Sequence, residues 1–270
     1  MGTSEIFNNR YETLLVEQPV PHVMRVTLNR PEVANAANTR MTLELISIFR
    51  QLDEEDHDIR CVIFTGAGDR AFCAGGDLKE RSTMSENDWS RQHRIIERMV
   101  RTFLDCPIPT IGAVNGAAYG GGLELALCCD MLYAADHARF ALTETSIGIM
   151  PGAGGTQNLT RRVGEARAKE IILTAAPFTA QQALAWGVVL DVVPGADLQS
   201  HVLQKAERIA SNAPLATRQA KHAIHYGAEM DLKSALMFEI EAYNKLVVSE
   251  DRQEGVRAFM EKRKPVFRGR

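Results

Sequence analysis

The sequence lacks the cysteine patterns of disulfide scaffolds and of zinc sites. Its 270 residues include five cysteines, an odd number, and no two of them form a CxxC pair. We interpret all five as reduced thiols, which together with the polar stretch 1–10 predicts a cytoplasmic protein rather than a secreted one. His222 and His225 have no third candidate ligand nearby in the sequence, so we predict no metal site.

Long hydrophobic runs and an excess of one charge are also missing. The most apolar region, residues 107–133, is rich in glycine and contains Asn115, Glu124 and Asp130, so it does not predict a membrane span. The 31 basic and 34 acidic residues give a net charge of −3, which provides no general attraction to nucleic acid or to anionic lipid. We therefore predict neither a nucleic-acid partner nor a membrane partner.

The remaining composition, 45% apolar and 24% charged, is that of a globular chain. The alternating run 23–28 predicts a half-buried strand, and the nearly continuous apolar run 60–65 predicts a strand covered on both faces. Further strands are predicted at 12–17, 109–114, 130–135 and 188–193, and helices at about 40–54, 86–104, 121–128, 197–211, 214–227, 230–247 and 251–262. This order indicates an α/β core over residues 1–200 and a helical part over residues 201–270.

Two glycine-rich stretches stand between a predicted strand and a predicted helix. They are AFCAGGDLKE (71–80) and NGAAYGGGLELA (115–126). Backbone without side chains at such a turn can direct N–H groups outward and hold an anion or an oxyanion. An ordinary glycine turn explains the first stretch equally well. The second is not a phosphate-binding P-loop, since no Lys-Ser or Lys-Thr follows its glycines.

Two acidic residues stand alone in apolar surroundings. Glu124 has leucine on both sides, and Glu144 lies in FALTETSIGIMPGAGGT (140–156), whose GxGG spacing disfavours a dinucleotide-binding fold. A buried carboxylate costs free energy unless it is paired or used, and burial raises its pKa. Two such groups near two glycine turns are suited to general acid/base catalysis beside an oxyanion hole. For Glu124, a surface acid favoured by the helix dipole is the alternative.

Five stretches, taken together, resemble the crotonase (enoyl-CoA hydratase/isomerase) superfamily in order and spacing. They are LNRPEVANA (28–36), FCAGGDLKE (72–80), NGAAYGGGLELALCCD (115–130), LTETSIGIMPGAGGTQNL (142–159) and FMEKRKPVF (259–267). The resemblance covers nearly the whole chain. It implies an α/β crotonase-type spiral of ββα units with a helical C-terminal part for trimerisation. The homotrimers are commonly paired into hexamers.

The resemblance also implies roles for single residues. The backbone N–H groups of Gly76 and Gly121 are expected to form the oxyanion hole. Glu124 and Glu144 are expected to carry the protons, and Gly152 to lie near the catalytic water.

Coenzyme A is expected as part of the substrate and not as a separate cofactor. Its contacts are expected from the loop before the first core helix, the first glycine turn and the C-terminal part. The residues are Val33, Ala36, Ala74, Asp77, Leu78, Lys79, Phe259 and Lys262. Lys79 is expected to face the CoA phosphates, and Phe259 and Lys262 often to reach the CoA of a neighbouring subunit.

The implied activity is that of a lyase of fatty acid metabolism, an enoyl-CoA hydratase that reversibly adds water in syn fashion to a 2-enoyl-CoA. Glu124 would orient and deprotonate the water, and Glu144 would protonate Cα. Short straight-chain enoyl-CoA is the expected substrate. A Δ3,Δ2-enoyl-CoA isomerase is an alternative, but such isomerases usually keep only the second glutamate, so the presence of Glu124 speaks against it.

A methylglutaconyl-CoA hydratase is the other alternative, because GDLKERSTMS (76–85) looks most like those enzymes. Their branched dicarboxylic substrate would need a cation, for which Arg81, Arg91 and Arg94 are candidates. Some of them bind RNA through a lysine-rich first core helix, but the corresponding stretch 41–58 has one Arg and six acids, so RNA binding is not expected. In a further departure, glycine stands at position 76, where many hydratases carry alanine.

Overall fold

The computed structural model describes residues 11–54 and 57–270, so the stretch 1–10 used in predicting location lies outside the described residues. The strands are β1 (Leu14–Val20), β2 (Val23–Leu28), β3 (Cys61–Gly66), β4 (Ala71–Cys73), β5 (Thr110–Val114), β6 (Ala117–Tyr119), β7 (Met131–Ala135), β8 (Arg139–Ala141), β9 (Phe178–Thr179) and β10 (Asp191–Val193). They form a six-stranded sheet of order β1-β2-β3-β5-β7-β10 and a four-stranded sheet of order β4-β6-β8-β9.

The helices are α1 (Thr39–Glu54), α2 (Leu78–Ser82), α3 (Glu86–Leu104), α4 (Gly121–Leu127), α5 (Gly155–Val163), α6 (Glu165–Thr174), α7 (Ala180–Ala185), α8 (Leu198–Ala210), α9 (Pro214–Gly227), α10 (Leu232–Val247) and α11 (Glu250–Met260). Short 3-10 helices lie at Pro31–Val33, Glu144–Ile147 and Gly195–Asp197. The helices predicted from periodicity begin and end within two residues of these bounds.

The chain winds as a spiral in which each turn adds one strand to each sheet. β3 is followed by β4 and then α2 and α3, β5 by β6 and then α4, and β7 by β8. The strands β2, β3, β5, β7 and β10 pair in parallel in the large sheet, and β4, β6 and β8 pair in parallel in the small one. The predicted spiral of ββα units is confirmed, and the parallel pairing places successive strand-to-helix connections at the same edge.

β3 is covered on both faces, as its continuous apolar run predicted. Val62 and Phe64 point into the main core, where Phe64 packs against Phe49 of α1 and Phe103 of α3 with ring centroids 5.5 and 4.9 Å away. Cys61 and Ile63 point to the opposite face, which α8 covers. The predicted boundary between residues 200 and 201 falls inside α8.

The small sheet was not predicted as strands. β4, β6 and β8 are three residues long, and the first two lie within the glycine-rich stretches whose composition indicates turns. Runs this short carry no readable alternation, so only pairing with neighbouring turns of the spiral defines them. The strand predicted at 188–193 is shorter than expected, because the N–H groups of Val188 and Val189 donate to the carbonyl of Ala183 at the end of α7.

The C-terminal helices leave one broad apolar surface uncovered. In α10 the only described buried residue is Ala242, while Leu236, Met237, Ile240 and Tyr243 are each more than half exposed. Among the described residues no helix is long and apolar enough to cross a membrane. All five cysteines are buried free thiols.

Candidate active site

The first glycine turn joins β4 to α2. Gly75 has a φ of +105°, a conformation that glycine adopts without strain. The carbonyl of Gly75 accepts the N–H of Ala37, while no acceptor for the N–H of Gly76 exists among the described residues. Asp77 then caps α2 by accepting the N–H groups of Lys79 and Glu80. Gly76 therefore presents a backbone donor that the fold itself does not use.

The second glycine turn joins β6 to α4. Gly120 has a φ of +51°, and its N–H donates to the carbonyl of Ala141 on β8. The following residue, Gly121, is the first of the helix, so its N–H has no carbonyl one turn earlier to bind. This places a second unused donor at the positive end of the helix dipole.

The two glycine turns meet because β4 and β6 are paired neighbours. A Cβ atom built on Gly121 would lie 3.6 Å from the amide nitrogen of Gly76, and one built on Gly75 would lie 3.5 Å from the amide nitrogen of Gly121. A Cβ on Gly122 would lie 2.0 Å from the carbonyl oxygen of Cys73, so α4 can approach β4 this closely only with glycine there. Two free N–H groups thus line one small space, as an oxyanion hole requires.

Glu124 lies one turn into α4 and is 3% exposed. Its Oε1 accepts the N–H groups of Ala153 and Gly155, with N–O distances of 2.7 and 2.9 Å. Burial raises the pKa of Glu124 to about 7, although the hydrogen bonds from Gly155 and Ala153 oppose the shift; the charge of Glu144 adds to it. Glu124 is therefore a buried acid and not a surface residue favoured by the helix dipole.

Glu144 begins the 3-10 helix that follows β8, and it is 8% exposed. Its Oε1 lies 3.1 Å from the position that a Cβ on Gly120 would occupy, which puts the carboxylate against the second glycine turn. Its Oε2 is buried and has no hydrogen-bond partner among the described residues. Burial raises the pKa of Glu144, and the charge of Arg81 partly opposes this. A buried carboxylate oxygen without a partner is available to a substrate proton.

Two backbone donors and two buried carboxylates thus lie together where β4, β6 and α4 meet. The family model described as Enoyl-CoA hydratase/isomerase matches residues 21–270 of the chain. The chain belongs to the enoyl-CoA hydratase/isomerase family. The predicted resemblance is confirmed, and acyl-CoA thioesters are the substrate class of this family.

Relatives of this enoyl-CoA hydratase/isomerase family member cover nearly its full length. The crystal structure of an enoyl-CoA hydratase from Bacillus anthracis is 44% identical, with a TM-score of 0.94 over 96% of this chain and 100% of that one. A short-chain-enoyl-CoA hydratase from Clostridium acetobutylicum is 39% identical over 88% of this chain and 91% of that protein. A 2,3-dehydroadipyl-CoA hydratase from Escherichia coli is 40% identical over 92% of this chain and 96% of that protein.

Several residues expected to contact CoA lie together in this family member. The loop 31–37 runs along the first glycine turn, where the carbonyl of Ala34 accepts the N–H of Ala74 and the carbonyl of Ala37 accepts the N–H of Asp77. The half-buried Val33 and Ala36 lie in this loop.

Asp77 is held by an ion pair with Arg30, with 2.9 Å between Oδ2 and Nη1. Burial disfavours the Asp77 carboxylate, but the hydrogen bond and charge of Arg30, together with the N–H groups of Glu80 and Lys79, outweigh this and keep the pKa of Asp77 below its usual value. The nearby side chains of Leu78 and Lys79 are exposed, so they are free to contact a ligand.

The remaining residues that were expected at the site lie away from the glycine turns or on the surface beside Glu124. Phe259 and Lys262 lie at the exposed end of α11, and among the described residues neither forms a hydrogen bond or ion pair with the glycine turns. Gly152 is exposed, next to the donors that hold Glu124. Within residues 11–54 and 57–270, no three His, Cys, Asp or Glu side chains are grouped as metal ligands.

Neither Ala153 nor Gly155 is among the residues predicted from the sequence, yet both hold Glu124. The GxGG spacing is the sequence feature that could have indicated them. Glycine is needed at position 155 because a Cβ there would lie 2.8 Å from Oε1 of Glu124. Gln92, buried in α3, is also absent from the predicted set. It connects α3 to Arg81 by accepting from Nε, with 3.0 Å between the two atoms.

Proposed function

We propose that the protein is an enoyl-CoA hydratase that reversibly adds water, in syn fashion, across the Cα–Cβ double bond of a 2-enoyl-CoA thioester. The observation that carries the proposal is the pair of buried carboxylates, Glu124 and Glu144, beside two unused backbone N–H groups. Both glutamates are present and both have raised pKa values, which favours hydration over an isomerisation that needs only the second one.

The backbone donors act on the thioester oxygen. The N–H groups of Gly76 and Gly121 donate to this oxygen, on which negative charge develops when water attacks Cβ. Because the donors are part of the folded backbone, they need no reorganisation as the charge appears. One donor of this kind contributes typically about 3 to 4 kcal/mol to transition-state stabilisation.

The carboxylates move the protons. One oxygen of Glu124 is fixed by Ala153 and Gly155, which leaves Oε2 to accept a hydrogen bond from the attacking water. As the bond from oxygen to Cβ forms, Glu124 takes the water proton and the π electrons move toward the thioester as an enolate. Glu144 then donates its proton to Cα. Exchange with solvent returns a proton to Glu144 and removes one from Glu124.

The raised pKa values suit these roles. An ordinary glutamic acid is almost fully ionised at neutral pH and cannot serve as a proton donor there. Burial brings the pKa of Glu124 to about 7 and raises that of Glu144, so proton transfer in either direction is efficient near neutral pH. This matches a reversible reaction in which each carboxylate is acid in one direction and base in the other.

The CoA part of the substrate is assigned to the loop 31–37 and the first glycine turn. Val33 and Ala36 would lie along it, the backbone at Ala74, Asp77 and Leu78 would hold its adenine and pantetheine, and Lys79 would face its phosphates. Gly152 would lie near the catalytic water, and no separate cofactor takes part.

We assign the homotrimer, or a dimer of trimers, as the assembly. The exposed apolar side chains of α10 form a surface that a second copy would cover, and Phe259 and Lys262 at the end of α11 would then reach the CoA bound to a neighbouring subunit. Sedimentation equilibrium gives a mass of three or six times 29.9 kDa if this is correct. A monomer would contradict it.

The function is tested by following the ultraviolet absorbance of the conjugated enoyl-thioester with crotonyl-CoA, and by identifying the product as 3-hydroxybutyryl-CoA. We expect rapid loss of absorbance. A 3-enoyl-CoA offered in parallel should not gain absorbance at a comparable rate. Conversion of the 3-enoyl-CoA without hydration of crotonyl-CoA would instead establish an isomerase.

A further inference from the structure

We propose that Arg81 binds a second carboxylate on the acyl chain, so that the preferred substrates are short 2-enoyl-CoA thioesters with an anionic tail. This inference rests on the proposed hydratase function. Arg81 is half-buried, whereas the other two candidate arginines, Arg91 and Arg94, are exposed on α3.

The guanidinium of Arg81 lies against Gly76, one of the two residues that supply a free backbone N–H. A Cβ built on Gly76 would be 2.9 Å from Cζ of Arg81, 3.1 Å from Nη2 and 3.2 Å from Nη1. The N–H of Gly76 is a donor for the thioester oxygen, so the guanidinium lies within a few bond lengths of the reacting atoms. A carboxylate that reaches it therefore belongs to a short acyl chain of about five carbons.

Other side chains hold the guanidinium in place. Its Nε donates to Oε1 of the buried Gln92, whose Nε2 donates to Glu80 and Thr39, both at 2.8 Å. The ring of Trp89 lies 5.0 Å from Cζ, which adds a cation–π contact. Arg81 is thus fixed before any substrate binds, as a specificity residue should be.

The rest of the guanidinium is free to bind. Neither Nη1 nor Nη2 has a hydrogen-bond partner among the described residues, and no described carboxylate forms an ion pair with Arg81. Burial lowers the pKa of Arg81, and the charges of Glu80, Glu124 and Glu144 partly oppose this.

A substrate carboxylate would complete this arrangement. Two parallel N–H donors match the two oxygens of a carboxylate, and such charge-assisted pairs are stronger than neutral hydrogen bonds. A neutral acyl chain would instead cover the guanidinium without supplying an acceptor, which is unfavourable. Without Arg81, an anionic chain would lose this pairing and the positive charge that offsets Glu124 and Glu144.

Binding is tested with two saturated thioesters that cannot be hydrated. Glutaryl-CoA carries the terminal carboxylate, and 5-methylhexanoyl-CoA has two methyl groups in place of its two oxygens. In calorimetry, Arg81→Met should raise the Kd of glutaryl-CoA relative to that of 5-methylhexanoyl-CoA about tenfold or more. Arg81→Lys should lie between wild type and Arg81→Met. Arg94→Met is the matched control and should leave the ratio of the two Kd values unchanged.

Turnover of the unsaturated pair, glutaconyl-CoA and 5-methylhex-2-enoyl-CoA, completes the test. The ratio of their kcat/KM values should fall at least about tenfold in Arg81→Met. If the ratio of the Kd values of glutaryl-CoA and 5-methylhexanoyl-CoA in Arg81→Met stays within about twofold of the wild-type ratio, the proposed role of Arg81 is wrong. Absence of hydration in wild type, with the Kd ratio still dependent on Arg81, overturns the hydratase function and supports the binding role.

Discussion

The guanidinium of Arg81 occupies the space that a side chain at position 76 would fill. The distance from Cζ of Arg81 to the Cβ position of Gly76 is 2.9 Å, shorter than a normal contact. Gly76 does not have the positive φ that would by itself demand glycine. Glycine at position 76 therefore leaves the space that the end of Arg81 occupies.

Replacing Gly76 by alanine should displace that guanidinium. The new methyl group would keep the backbone N–H but would push the end of Arg81 away from the oxyanion hole. We expect the kcat/KM ratio of glutaconyl-CoA to 5-methylhex-2-enoyl-CoA to fall severalfold. In a double-mutant cycle, Gly76→Ala added to Arg81→Met should cause no further fall, because the contact has already been removed. Equal effects in the two backgrounds would show that alanine acts independently of the arginine.

Glu144→Gln should remove the proton donor for Cα. We expect kcat for crotonyl-CoA to fall by about 10² to 10⁴-fold, the range typical of lost general acid/base catalysis. Binding of butyryl-CoA, measured by calorimetry, should remain close to wild type since the glutamine is nearly isosteric. Glu97→Gln on the exposed face of α3 is the control and should retain wild-type turnover. Near-wild-type turnover in Glu144→Gln would contradict the assigned role.

Glu124 should make the folded state less stable as the pH rises. Its pKa increases from 4.5 to about 7 on burial, so between these values the folded protein binds more protons than the unfolded chain. The free energy of unfolding then falls with rising pH, by about 3 kcal/mol over the whole window for this one group.

Glu124→Gln removes this dependence and can still accept the N–H groups of Ala153 and Gly155 through its amide oxygen. We expect the stability of the variant relative to wild type to rise by about 2 to 4 kcal/mol between about pH 4 and pH 8. Denaturant unfolding at equal protein concentration measures the difference at each pH. A difference that does not change with pH would show that the pKa of Glu124 is not raised.

Gly122→Ala should separate the two glycine turns. The added Cβ would be 2.0 Å from the carbonyl oxygen of Cys73, and a backbone atom cannot move aside cheaply. We expect a loss of at least about 2 kcal/mol in unfolding free energy and a lower kcat for crotonyl-CoA, because the N–H groups of Gly76 and Gly121 would no longer share one acceptor. Gly227→Ala is the control, since its Cβ would be 3.7 Å from Ala235 in an ordinary helix. It should leave both quantities nearly unchanged.

The parts of the structure that could be predicted are those with a local signal. The apolar run of β3 and the periodicity of α3 define their elements without outside help. The apolar neighbours of Glu124 correctly indicated a buried carboxylate. The three-residue strands β4, β6 and β8 could not be found in this way, since their pairing with distant residues defines them.

The contacts across the site also required the fold. The sequence offered Arg81, Arg91 and Arg94 as equal candidates, and only the positions of Gln92 and Gly76 distinguish the first from the others. Likewise, 29 residues separate Glu124 from Ala153 along the chain. Such residues come into contact because successive turns of the spiral stack, and no local sequence pattern predicts that contact.

The donors at Gly76 and Gly121 belong to the main chain, so they do not depend on the identity of a side chain. Exchanging either residue for any amino acid except proline leaves the N–H in place, so the position of each donor depends on the path of the backbone. A substitution at either position therefore acts on the donors through the shape of the two loops more than through the chemistry of its side chain. A side chain on α2 such as Arg81 can therefore be exchanged without removing either donor.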